Sequence, residues 1–161
     1  MKTCIVLSAL PGSGKSIWAK EYKLSHPNTY ILSSDDLREE LYGYATNFQH
    51  EKEFWGIFMD RLKGFASKGD DVTAIVDATN LLNSFRVLYN KETPEYDRHI
   101  LVVFDVPYEV ALKQNAYRTG ERCVPVSVME RFQKEFEPIS KEVLDIYDEV
   151  FVIKKYAPTK K

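Results

Sequence analysis

A three-layer α/β fold with a mainly parallel sheet is predicted by three features of the 161-residue chain. Short apolar, β-branched runs alternate with helix-period patterns, the order produced by repeated strand–helix–strand crossovers. A Pro-Gly-Ser-Gly-Lys-Ser string separates the first run from the first helical pattern. Acidic residues follow directly on several of the apolar runs, and parallel sheets collect their chemistry at the carboxyl ends of strands.

Each element follows from its local pattern. Cys4–Ala9 reads as a strand buried on both faces, and a helix is expected over Lys15–Ser25. A second strand at Tyr30–Ser33 leads to a helix over Asp36–Tyr44, with Ser33 and Asp36 fitting a capping box. In the helix expected over Glu51–Ser67, Trp55, Phe58, Leu62 and Phe65 recur at three- and four-residue steps and should face the core. A third strand, Val72–Asp77, precedes a helix at Ser84–Lys91. A fourth, His99–Asp105, precedes one at Tyr108–Tyr117, with Pro107 suited to its first turn. Helices at Val126–Glu137 and Lys141–Tyr147 lead to a fifth strand, Glu149–Ile153. There is no repeat, low-complexity tract or linker, so residues 1–161 read as one domain ending in a short basic tail at 154–161.

Composition narrows the function. The net charge is −2, and four of the 22 basic residues lie in the last eight positions, leaving 18 against 24 acidic residues in the rest. That balance argues against a broad duplex-binding surface. Cys4 and Cys123 have no metal-ligand spacing and read as reduced thiols in a cytoplasmic protein. The clean apolar run Ile100–Phe104 falls far short of the ~20 residues that span a bilayer. Lys2 before the run Cys4–Leu10 superficially resembles a secretory leader, but Pro-Gly-Ser-Gly-Lys is a poor cleavage site.

The string Ala9-Leu10-Pro11-Gly12-Ser13-Gly14-Lys15-Ser16 matches the phosphate-loop pattern G-x-x-x-x-G-K-S/T except for Ala9 in the first glycine position. Gly12 and Gly14 let backbone N–H groups turn around an anion, and the following helix points its positive end there. The amides of Pro11–Ser16 are thus expected to hold ATP phosphates, with Lys15 on the outer phosphates and Ser16 on Mg²⁺. Asp77 ends the third strand and is expected at the same Mg²⁺, through its water; Thr79 and Asn80 are either acceptor-pocket residues or a strand-ending turn. After the second strand, Asp35 is placed to take a proton from an attacking hydroxyl, and Arg38, one turn on, to hold a phosphate or carboxylate by a forked contact. Asp36 reads as a cap. Around 113–125 a lid is expected, with Arg118 and Arg122 bracketing Thr119-Gly120 and able to neutralise charge in a transition state.

In combination, "PGSGKSIWAKEY", "SSDDLRE", "IVDATNLLNSFR", "VVFDVPYEVALKQNAYR" and "VPVSVMERF" resemble, in order, the kinase domain of bacteriophage 5′-polynucleotide kinases, over about Lys2 to Tyr147. The resemblance implies a P-loop kinase fold, an ATP- and Mg²⁺-dependent transfer, Asp35 as general base, Arg38 on an acceptor 3′-phosphate, and Arg118 on ATP. It implies a 5′-OH nucleic acid end, expected to be single-stranded, or a nucleotide as partner, and action in a phage-infected or bacterial cytoplasm. The chain departs at Ala9, carries one added residue between Arg118 and Pro125, and has nothing resembling the phosphatase domain of those enzymes. The phosphate loop also fits a kinase of a small acceptor (a nucleotide sugar as for zeta-type toxins, a nucleoside or an antibiotic) and a nucleotide-binding protein without transfer. A nucleic-acid kinase should show a cleft reaching outward past Arg38; a small-molecule kinase should show a closed pocket.

Overall fold

The structure, a computed structural model, describes residues 1–154; the expected basic tail lies outside the described residues from Lys155 onward. Five strands form one sheet: β1 (Lys2–Ala9), β2 (Thr29–Ser33), β3 (Val72–Asp77), β4 (Arg98–Phe104) and β5 (Glu149–Ile153). Their order is β2-β3-β1-β4-β5 and every pairing is parallel. The helices are α1 (Lys15–Ser25), α2 (Ser34–Tyr42), α3 (Glu51–Phe65), α4 (Asn83–Lys91), α5 (Tyr108–Ala116), α6 (Val126–Glu135) and α7 (Lys141–Ile146). Short 3₁₀ turns occupy Ala66–Lys68 and Gly120–Arg122.

The alternation of the strands divides the core. Ile5, Leu7 and Ala9 of β1, with Ile75, Ile100, Val102 and Phe104, pack on Ala19, Trp18 and Tyr22 of α1. Cys4, Val6, Ala74, Val76, Leu101 and Val103 face the other way, onto Leu37 of α2, Phe54, Phe58 and Leu62 of α3, Tyr89 of α4 and Val143 of α7. Burial on both faces is why these strands read as unbroken apolar runs. Burial also pushes the Cys4 thiol up to about 12, so this cysteine is a packing residue rather than a nucleophile.

Several boundaries differ from the sequence expectation. α2 starts at Ser34, because the Ser33 hydroxyl accepts from the Asp36 amide at 3.2 Å, and it ends at Tyr42, because Gly43 turns left-handed. Pro107 caps α5 from outside rather than opening its first turn. On α3 the fully buried face is Phe54, Phe58 and Leu62, while Trp55 and Phe65 only edge the core. Phe54 and Trp55 are adjacent in sequence, so spacing alone did not select between them.

A third cluster positions the lid. Leu10 from the phosphate loop and Leu81 after β3 pack on Ala111 of α5 and Met129 of α6. The floor beneath is polar but satisfied. Asn80, at φ 45°, donates from Nδ2 to the Leu7 carbonyl at 2.7 Å, and its own carbonyl accepts from the Ser8 hydroxyl at 2.7 Å. Arg86 is fully buried and donates to Ser8 Oγ and the Leu81 and Glu137 carbonyls. Burial holds its guanidinium pKa below the ordinary value. Among the described residues no helix is long and apolar enough to cross a membrane.

His99 on β4 is buried with Nε2 at 2.8 Å from Thr93 Oγ1, and burial lowers its pKa below the ordinary 6.5. A group whose folded pKa is depressed contributes stability above the unfolded pKa and loses it as pH falls. Urea unfolding midpoints should therefore decline from pH 7.5 to pH 5.5. His99→Gln should flatten that decline; an unchanged pH slope would show that another group carries it.

Candidate active site

The site sits where parallel α/β sheets place ligands, beyond the carboxyl end of the strand at which the winding direction reverses. That strand is β1, flanked by β3 and β4. The chain leaves it through Gly12 at φ 83° and Gly14 at φ 89°, backbone conformations that residues with a Cβ rarely adopt. Gly12 is also tightly enclosed: a Cβ there would lie 2.3 Å from the Ala111 carbonyl oxygen of α5. The absent side chain thus lets the loop lie directly against the helix that leads into the lid. Gly14 caps α1 with no side-chain hydrogen bond, which leaves the first-turn amides of α1 for an incoming anion.

Asp77, at the end of β3, is 4% exposed. Lys15 Nζ lies 3.3 Å from its Oδ1, and Ser16 Oγ donates to its Oδ2 at 2.8 Å. Oδ1 accepts no hydrogen bond, and neither does the buried Ser13 hydroxyl. Among the described residues no cluster of three or more His, Cys, Asp or Glu could hold a metal on its own. This donor set fits a magnesium triphosphate, because Mg²⁺ takes few protein ligands and shares the rest with phosphates and water. Ser16 and Asp77 would hold the cation, and Lys15 with the loop amides would hold the phosphates.

Asp35 and Arg38 belong to α2, whose start lies beside β3 because Ser33 of β2 pairs with Asp77. Asp35, with a side chain 38% exposed, lines the same cavity as Lys15. Arg118 Nη2 approaches Asp35 Oδ2 at 3.6 Å. Arg122 Nη2 pairs with Asp36 at 2.9 Å and Glu39 at 3.4 Å. Burial opposes the Arg122 charge, but Asp36, Asp35 and Glu39 outweigh it and raise its pKa. Glu121 Oε1 accepts from the Thr46 amide at 2.7 Å and hydroxyl at 2.9 Å. The segment carrying these residues therefore contacts the α2 side. Of the two arginines, Arg118 meets Asp35, while Arg122 ties its segment to α2. Asp36, expected as a cap, is not one: Ser33 caps α2, and the Asp36 carboxylate pairs with Arg122.

The cavity, about 530 Å³, is lined by Pro11, Lys15, Asp35, Arg38 and Thr79. Phe48, Trp55, Phe85 and Phe132 line it as well, and Phe48 and Phe85 are exposed to solvent. Asn80 is also part of the lining, but its side-chain amide is spent on β1. Arg38 is nearly buried, and its guanidinium is held in two hydrogen bonds by Glu51, a residue the motif reading did not single out. An acid in the first turn of a helix reads as a dipole-favoured residue, so nothing in the sequence marked Glu51. Phe48, Phe85 and Trp55 were equally unmarked, because only the fold brings their segments together.

The AAA domain family model AAA_33 matches residues 5–139. Three solved structures share the fold at low identity. A gluconokinase from Sinorhizobium meliloti 1021 has a TM-score of 0.62 and 17% identity, over 97% of this chain and 84% of its own. A chain of the Pnkp1/Rnl/Hen1 RNA repair complex has a TM-score of 0.72 and 22% identity, over 91% of this chain and 46% of its own. A fungal RNA kinase has a TM-score of 0.67 and 17% identity, over 99% of this chain and 76% of its own.

Gly12→Ala forces a left-handed Cβ into the Ala111 carbonyl and should lower stability by about 2–5 kcal/mol. Urea unfolding measures this, and a loss below about 1 kcal/mol would show that the loop and α5 can separate freely. With residues 5–139 matched and five parallel strands wound around a phosphate loop, the chain belongs to the AAA_33 AAA domain family and has a P-loop kinase fold.

Proposed function

We propose that the protein transfers the γ-phosphoryl group of ATP to the 5′-hydroxyl of a nucleic acid end or a nucleoside 3′-phosphate. One observation carries the reading: Asp35, Lys15 and Arg38 line a single cavity together with the rings of Phe48, Trp55, Phe85 and Phe132, of which Phe48 and Phe85 are solvent-exposed. Aromatic faces stack nucleobases at about 1–3 kcal/mol per base. Arg38, in the same lining, is placed to meet an anionic group on such an acceptor.

In this reading Asp35 accepts the proton of the 5′-hydroxyl as its oxygen bonds to the γ-phosphorus and the bond to the β,γ-bridging oxygen breaks. Lys15 and the amides after Gly12 hold the donor phosphates in line with the acceptor. Mg²⁺, when bound, neutralises the phosphate charge. Arg118, 3.6 Å from Asp35 and in the same cavity lining, would meet the charge that develops on the transferring group. Arg38 would receive the acceptor's 3′-phosphate. The RNA repair and fungal RNA kinase structures support the nucleic acid reading; the gluconokinase, which covers as much of the chain, supports a small acceptor instead.

The deciding experiment offers labelled ATP with 5′-OH DNA, 5′-OH RNA, nucleosides, nucleoside 3′-phosphates and sugars. Phosphate should pass to nucleic acid or nucleoside 3′-phosphate; labelling of a sugar alone would replace this reading with the small-acceptor one. ATP turnover without a phosphorylated acceptor would favour a nucleotide-driven switch. Asp35→Asn should keep ATP binding and lower turnover about 10²–10⁴-fold; near-normal turnover would remove Asp35 as the base. Lys15→Ala should abolish activity while leaving the fold intact by circular dichroism, and full activity would discredit the cradle.

A further inference from the structure

Arg38 is enclosed on nearly every side. Its side chain is 8% exposed. The rings of Phe54, Phe48 and Trp55 lie 4.2, 4.7 and 5.6 Å from the guanidinium carbon. Nε and Nη2 donate to Glu51 Oε1 and Oε2, each at 3.1 Å. Trp55 Nε1 donates to the same Oε2 at 2.9 Å, which fixes the carboxylate as well as the ring. Among the described residues Nη1 has no hydrogen-bond partner. Arg38 lines the cavity, whereas Glu51 lies outside its lining with its side chain 39% exposed.

The desolvation of the enclosed guanidinium offsets part of the attraction, so the pair is a poor source of stability. It is a good way to fix direction. A guanidinium offers a side edge, Nε with one Nη, and an end edge, the two Nη groups. Glu51 occupies the side edge, and the rings confine the plane, so the end edge is left for the cavity. We propose that Glu51 is a positioning residue for acceptor recognition. Held in place by Trp55, it locks the side edge of Arg38 so that the Nη1 end meets an anionic group of the acceptor, the 3′-phosphate of the terminal nucleotide. The inference rests on the nucleotide-acceptor reading above. It adds that the charge centre for the acceptor is an Arg–Glu unit rather than a lone arginine. Arg38 meets that phosphate already desolvated and oriented, which lowers the ordering cost of binding.

The test compares a nucleoside 3′-phosphate with the same nucleoside lacking the phosphate, as acceptors for the full chain and its variants. Glu51→Ala should raise KM for the 3′-phosphate acceptor about 10- to 100-fold. KM for ATP should stay within about twofold, a split that general destabilisation would not give. The preference for the 3′-phosphate should collapse toward that of Arg38→Ala. In the Arg38→Ala background, Glu51→Ala should add nothing, because a residue acting only through its partner has no effect once the partner is gone. Trp55→Phe, which removes one hydrogen bond to Glu51 and keeps an aromatic ring, should shift the same KM in the same direction by less. Should Glu51→Ala fail to fold, Glu51→Asp, whose carboxylate falls one methylene short, carries the same expectation. An unchanged 3′-phosphate preference in the folded Glu51 variant, or additive losses with Arg38→Ala, would overturn the role of Glu51 alone. Absence of turnover on any nucleotide acceptor by the unaltered protein would overturn the parent reading and this inference with it.

Discussion

Asp77 is the constraint on which the rest of the molecule depends. A carboxylate 4% exposed at the end of a central strand is tolerable only if it is paired. Lys15 and Ser16 supply the pairing across the end of β1. The pair fixes the phosphate loop against β3, and breaking such a buried pair typically costs about 3–5 kcal/mol. The same three side chains are the ones a magnesium triphosphate needs. The charge arrangement that holds the loop in place is thus also one that would suit a magnesium triphosphate in the proposed reading.

Around that centre the protein separates two kinds of polar contact. Below the loop they are buried: Asn80 and Arg86 stitch the turn after β3 to β1 and to the segment between α6 and α7. Such a floor keeps the site rigid. Above the loop the contacts are ionic, partly exposed and spread over two segments. Arg118, Glu121 and Arg122 reach Asp35, Thr46, Asp36 and Glu39. Exposed pairs of this kind are weak singly and screened by salt.

The aromatic wall gives the candidate acceptor side its character. Trp55 has one edge on the core and one face on the cavity, and its indole N–H is committed to Glu51. A residue in this position belongs to the core and to the cavity wall at once. Its place at the edge of the apolar stripe of α3, next to the fully buried Phe54, is what permits that.

The sequence by itself determined the sheet, the order of its elements and the phosphate loop. Each of these rests on short-range physics: apolar runs buried on two faces, left-handed positions for Gly12 and Gly14, and caps such as Ser33. It also brought Asp35, Arg38 and Asp77 into view, because strand ends in a parallel sheet converge on one edge. Tertiary structure alone decided which partners those residues meet. Glu51 looks like any acid at a helix start until α2 and α3 bring it to Arg38. Phe54, not Trp55, takes the fully buried place on α3, a choice made by what the helix packs against rather than by its period. Arg118 and Arg122 are equivalent as cations in a loop, and only their packing against α2 distinguishes the one beside Asp35 from the one paired with Asp36 and Glu39. Local patterns are set by neighbours within a turn or a pleat; these pairings join residues 13 (Arg38–Glu51) to 86 (Asp36–Arg122) positions apart, and no local signal encodes them.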